Sequence, residues 1–228
     1  MSAPARGRRY AGGMKYLAVL VCLAASVSAC AAGSKIEVWK LEKPDVVGGH
    51  KSEVLGAPKT MAQTGQRGLC FNGVDDGLII PVNPIQGQGL FSIEILFRPD
   101  SDGPAEQRFL HIQDEQEKRV LIETRVADGA WSLDTFLRAT DADKLTLLDR
   151  AKTSPANRWY WAALVYDGKT MSHYVQGKKE LEGAVAFPPM GPGRISLGVR
   201  QNRIHWFKGC IAQVRFTPWA LAPEALQR

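Results

Sequence analysis

The 228-residue sequence is short of the features that mark several common classes of protein. The apolar stretch that opens at Leu17 gives way to small residues from Ala24 and falls short of the ~20 residues a membrane-spanning helix requires. There is little surplus charge once the N-terminal segment is set aside. Residues 1–29 hold Arg6, Arg8, Arg9 and Lys15 and no acid, so removing those four from 29 basic residues leaves 25 against 23 acidic ones, a surplus of +2. No basic run or basic helix follows, which argues against a nucleic-acid partner. Histidine and cysteine are scarce, four of each, and the two downstream cysteines, Cys70 and Cys210, have no neighbouring ligand pair of the kind a zinc site uses. Low-complexity and collagen-like composition are absent as well.

What is present is 45% hydrophobic residues with 22 Gly and 13 Pro, a composition suited to many turns. From Met14 the chain reads Met-Lys-Tyr, then Leu-Ala-Val-Leu-Val-Cys-Leu-Ala-Ala-Ser-Val-Ser-Ala-Cys. A short positive region, an apolar stretch and small residues form the layout of a secretory signal over residues 1–30, with Met14 a better start than Met1. Arg8-Arg9 is followed by Tyr-Ala-Gly-Gly, a poor match to a twin-arginine signal. Val27-Ser28-Ala29-Cys30 is similar to a bacterial lipobox, in which the cysteine is acylated, and ordinary cleavage near Ala29 is the alternative. Either way an exported protein is expected: periplasmic, an outer-membrane lipoprotein or extracellular. In an oxidising compartment the remaining pair, Cys70 and Cys210, is even in number, with two buried thiols as the alternative.

Along the rest of the chain, apolar residues alternate with period two. Phe91, Ile93, Ile95 and Phe97 share one face of a strand ending at Pro99. Trp159–Tyr166 is a second strand, closed by the turn Asp167-Gly168-Lys169. Shorter strands are expected at Gly68–Phe71, Gly77–Val82, Arg108–Ile112, Arg119–Val126, Ser132–Arg138, Ser172–Val175, Arg194–Gly198 and Cys210–Phe216. Residues 31–228 therefore read as one all-β, two-sheet antiparallel sandwich. Ile36–Leu41 is an edge strand, residues 42–66 are a surface loop, and the one helical turn lies near Pro223–Leu226.

Five fragments resemble, in order, the laminin-G-like members of the concanavalin A-like lectin/glucanase jelly rolls. Leu69-Cys70-Phe71-Asn72-Gly73-Val74-Asp75-Asp76 is similar to their opening strand, and Phe91–Pro99 to the second. Trp159–Gly168 and Tyr174-Val175-Gln176-Gly177 resemble the central strands. Phe207–Phe216, followed by Ala220-Leu221-Ala222-Pro223-Glu224, resembles the closing strand and its tail. The resemblance runs from Leu69 to the C-terminus. It implies that the first and last strands are neighbours, which would bring Cys70 to Cys210 as a disulfide. It also implies a calcium option at the rim through Asp75, Asp76 and Asp167, for which simple turn acids are the alternative and no cofactor the default.

Enzymes on this fold cleave glycosides with paired carboxylates, arranged E-x-D-x-x-E or E-x-D-x-E, and neither spacing occurs. Asp114-Glu115-Gln116-Glu117-Lys118 falls between strands and reads as a solvated turn. A polar stripe is the better candidate: His111 and Gln113 on one strand, with Arg119, Glu123 and Arg125 sharing one face of the next. Such side chains could bond sugar hydroxyls, and a salt-bridge ladder on an open face is the alternative. Arg203 and Trp206, in the loop Arg200–Trp206, complete a candidate binding lip. The reading is a non-catalytic module that binds a polysaccharide, a surface glycan or a protein partner, with a lipid anchor at Cys30. A glycan-active enzyme and a purely structural domain are the alternatives.

Overall fold

The computed structural model describes residues 35–228 except Thr64, and, among these, not the side chain of Gln63. The expected leader over residues 1–30, with Cys30 as its candidate lipidation site, lies outside the described residues. In chain order the strands are β1 (Glu37–Lys40), β2 (Val46–Val47), β3 (His50–Lys51), β4 (Glu53–Leu55), β5 (Lys59–Gln63), β6 (Gln66–Asn72), β7 (Gly77–Ile80), β8 (Phe91–Pro99) and β9 (Glu106–Asp114). They continue as β10 (Arg119–Ala127), β11 (Ala130–Arg138), β12 (Lys144–Leu148), β13 (Ser154–Pro155), β14 (Tyr160–Tyr166), β15 (Thr170–Val175), β16 (Lys178–Ala184), β17 (Gly193–Leu197) and β18 (Lys208–Thr217). One 3-10 turn, Pro223–Ala225, follows.

Two antiparallel sheets stack. The first has the order β16-β15-β14-β8-β18-β6-β5, with β1 also on β18. The second has the order β12-β11-β10-β9-β17-β7-β4, with β13 on β11. Strand β18 serves as a spine: one edge pairs with β8, and the other pairs with β6 through Lys208–Ile211 and then with β1 through Gln213–Phe216. The core between the sheets is aromatic. Phe97 of β8 stacks on Phe109 of β9 with ring centroids 4.3 Å apart, and Trp131 meets Phe97 edge-on at 5.0 Å. One polar pair crosses the same space, with Thr135 Oγ1 2.9 Å from His173 Nδ1.

Cys70 and Cys210 stand directly opposite on β6 and β18 and form a disulfide, with Cα atoms 4.0 Å apart. Residues 42–66, expected to be a loop, instead contain β2 to β5. These strands, two to five residues long, lack the apolar alternation that identifies strands from sequence. The same reason hid β16, whose Lys-Lys-Glu-Leu-Glu-Gly-Ala carries five polar or glycine positions. The C-terminal tail crosses the outer face of the first sheet. There Leu226 packs with Ala163, Val165 and Tyr174, and the Gln227 N–H donates to Glu94 at 2.7 Å.

Candidate functional site

The outer face of the second sheet carries an unusual density of charge. Alternation on β10 sends Val120, Ile122 and Val126 into the core, so Arg119, Leu121, Glu123 and Arg125 point outward. A register shift in the β9–β10 pairing between Ile122 and Glu123 brings Arg108 opposite Glu123. Across the other edge Asp134 of β11 faces Glu123.

These side chains close on one another. Arg108 Nε donates to Glu123 Oε1 at 2.9 Å, and Arg125 Nη2 to Glu123 Oε2 at 3.3 Å. Arg125 Nε donates to Asp134 at 2.8 Å, and its Nη1 lies 2.7 Å from Glu106. The Glu123 side chain is 3% exposed and that of Asp134 2%. Burial and the facing Asp134 charge push the Glu123 carboxyl up to about 7, against the pull of Arg108 and Arg125. Asp134 is also raised, chiefly by burial. Glu123 and Arg125, read from sequence as ligand contacts, are thus partners of each other and of Arg108 and Asp134. Both Glu123 oxygens are occupied.

His111 shares the face but is covered. The Gln201 backbone N–H donates to His111 Nδ1 at 3.2 Å, and the Gln201 side-chain amide reaches the carbonyl oxygens of His111 and Arg194. An accepting Nδ1 leaves the proton on Nε2, and that atom is buried without a partner. Burial, then the charges of Arg200, Arg119, Arg108 and Arg194, lower the His111 pKa to about 3. Through Nδ1, His111 therefore anchors the segment above it. Gln113, by contrast, remains half-buried on the face, between Arg119 and Arg194.

The segment that covers His111 connects β17 to β18. It leaves the sheet at Gly198, where φ is +79° and a Cβ would lie 2.3 Å from Phe71. Arg203 and His205 both have positive φ, 60° and 58°, an uncommon conformation for residues with side chains. Arg203 is exposed and pairs with Glu53 at 2.7 Å. Trp206 is half-buried and lies over Gly77, closing an end of the sandwich more than forming a lip.

The three acids considered for calcium do not converge. Asp76 accepts backbone N–H bonds from Ala57 and Asn72, and Asp75 accepts from the Asn72 side chain. Asp167 caps its own turn through Lys169 and Thr170. Asp167 follows Tyr166, which pairs with Phe91, whereas Asn72 lies beyond the Phe71–Gly209–Pro99 alignment. The length of β8 separates the two ends, roughly 26 Å at ~3.3 Å per residue. No group of three or more His, Cys, Asp or Glu among the described residues has metal-holding geometry.

Sequence reasoning missed Arg108, Asp134 and Arg194, and it held Arg200 only as part of the candidate lip. Each belongs to a strand or loop that was recognised, but which strands lie side by side was not legible, so their convergence had no signal.

Two stacked antiparallel sheets in this strand order define a jelly-roll β-sandwich. The chain belongs to the concanavalin A-like lectin/glucanases superfamily, whose family model matches residues 72–227. No curated protein matches the sequence. Among solved structures it is similar to domain 4 of an extracellular GH43 arabinanase from Geobacillus stearothermophilus, solved with arabinotriose. The identity is 17%, the TM-score 0.61, and the match covers 83% of this chain and 95% of that one. The binding domain of Paraclostridial Mosquitocidal Protein 1 is similar at 14% identity and a TM-score of 0.64, covering 83% and 50%. The ligand-binding domain of botulinum neurotoxin serotype D, solved with N-acetylneuraminic acid, is similar at 14% identity and 0.61, covering 84% and 49%. The chain thus spans about half the length of these toxin domains. At such identities the likeness establishes the shared fold.

Proposed function

We propose that this is an exported, non-catalytic binding module that recognises carbohydrate at the cell envelope. The observation that carries the reading is the arginine clamp on Glu123 and Asp134. Glycoside cleavage needs one carboxyl to donate a proton and another to attack or activate water. The raised Glu123 has the protonation behaviour of such an acid, and this favours the enzyme reading. Yet its two oxygens are held by Arg108 and Arg125, and its side chain is 3% exposed. A sugar oxygen cannot reach it without breaking both ion pairs.

Family membership supports the carbohydrate reading, as do the arabinotriose and N-acetylneuraminic acid held by similarly folded domains. The leader and Val27-Ser28-Ala29-Cys30 support export and a lipid anchor. The test is a glycan array with residues 31–228, paired with reducing-end assays on every polysaccharide bound. Binding without release of reducing ends is expected. Cleavage that disappears in Glu123→Gln would replace this reading with an enzymatic one.

A further inference from the structure

One row across the second sheet is almost entirely basic. Arg138 of β11 faces Arg119 of β10, Arg119 faces Gln113 of β9, and Gln113 faces Arg194 of β17. Directly opposed residues project from the same face, so these four side chains line up over three strand spacings, about 14 Å. Arg200 enters beside the row from the β17–β18 segment, next to Gln201, which bonds His111 Nδ1 and the Arg194 carbonyl.

Like charges opposite one another destabilise a sheet, and this row is only partly compensated. Asp141 holds Arg138 at 3.1 Å, and Glu117 lies 3.7 Å from Arg119 and 3.8 Å from Arg138, bridging the two guanidinium groups with one exposed carboxylate. Arg194 and Arg200 have no acidic partner within salt-bridge distance among the described residues. Of the buried acids, Glu123 and Asp134 on the same face are taken by Arg108 and Arg125, and Asp114 at the end of β9 by Lys118. Beneath the row the His111 Nε2–H and the Arg119 Nε–H are both buried donors without an acceptor. Buried donors left unmade are costly. Repulsion retained without a compensating structural gain is expected where function requires it. Burial and then the charges of Arg119 and Arg108 lower the Arg200 pKa.

We infer that Arg119, Arg194 and Arg200, with the Gln113 amide between them, form a subsite for the carboxylate or sulfate group of an acidic polysaccharide. This rests on the carbohydrate-binding reading and adds the ligand's charge. Guanidinium groups take oxyanions by two parallel N–H···O bonds, Gln113 can bond a neighbouring hydroxyl, and Glu117 already demonstrates that one carboxylate can bridge two members of the row. Arg125, by contrast, is committed to Glu106, Glu123 and Asp134.

The experiment measures binding of residues 31–228 by titration calorimetry to polygalacturonate, dextran sulfate, neutral arabinan and duplex DNA, for the natural protein and for Arg194→Gln/Arg200→Gln. Both substituted side chains lie outside the core, and thermal melts check that the variant folds. A single Arg119→Gln variant serves as a second probe of the row. Binding to polygalacturonate, dextran sulfate or both, weakened about tenfold or more in the double variant at unchanged melting temperature, is expected; the polymer that binds identifies the oxyanion. Equal binding by natural protein and variants overturns the subsite. So does DNA binding of equal strength, which would mark nonspecific attraction to polyanions. Binding to neutral arabinan alone also overturns it, while leaving the carbohydrate-binding reading intact. If none of these polymers binds, the subsite is overturned, and the glycan array decides the broader reading separately.

Discussion

Glu123 and Asp134 face each other across β10 and β11, and the single side chain of Arg125 reaches both. Two buried carboxylates opposed in one sheet would repel, so the guanidinium is what allows the pair to exist. Replacing Arg125 by alanine should cost about 3–5 kcal/mol, the range for breaking a buried ion pair on one side. Arg125→Lys, which keeps the charge but loses the fork, should cost less. Urea unfolding at pH 7.5 checks both, and an alanine variant as stable as the natural protein would exclude this role.

Glu123 should also shape the pH dependence of stability. Its carboxyl is raised in the folded state to about 7 from an ordinary 4.5, so folding favours its protonated form. That contribution is complete below about pH 4.5 and is lost as pH climbs through about 7. Glu123→Gln removes the loss. Its melting temperature relative to the natural protein should therefore be higher at pH 8 than at pH 4, and a constant difference would count against the raised carboxyl.

The two buried histidines act in the opposite sense. His111 is lowered to about 3 and His173 to about 4, both chiefly by burial. Each stays neutral in the fold, so stability is complete above about pH 6.5. It falls on acidification by roughly 1.4 kcal/mol per pH unit for each histidine. His173→Gln loses the bond to Thr135 and so starts lower, but its stability should decline less steeply between pH 6.5 and 4. Denaturant melts across that range give the slope, and parallel curves would refute the assignment.

The disulfide joins residues separated by 140 positions. Constraint of the unfolded chain on that scale is worth up to about 5 kcal/mol in the chain-entropy treatment. The double substitution Cys70→Ala/Cys210→Ala should lose several kcal/mol in urea unfolding, and a reductant should lower the melting temperature of the natural protein alone. If reductant shifts both proteins equally, the bond is not what it acts on.

Cys30 is expected to carry lipid. Expressed at full length in a bacterial host, the natural chain should partition with membranes and Cys30→Ser should move to the soluble fraction. Mass spectrometry of the mature N-terminus provides the direct check. An unacylated Cys30 would leave ordinary signal cleavage as the processing route.

The sequence by itself determined the β-sandwich and most of its strands, because a strand with one buried face writes period two into the chain, as in Phe91-Ser92-Ile93-Glu94-Ile95. It also placed Arg119, Glu123 and Arg125 on one face, a consequence of alternation alone. The partner of each charge was decided only by tertiary structure. Glu123 meets Arg108 because the β9–β10 register shifts, and it meets Asp134 because β11 is the next strand. His111 is covered because the β17–β18 segment turns back at Gly198 and lays Gln201 across it. Arg194 reaches the basic row from about eighty residues downstream of Gln113. Hydrophobic periodicity records which face a residue occupies, a local property. Register and strand order arise from the packing of the whole chain, and they separated the clamped charges from the free ones.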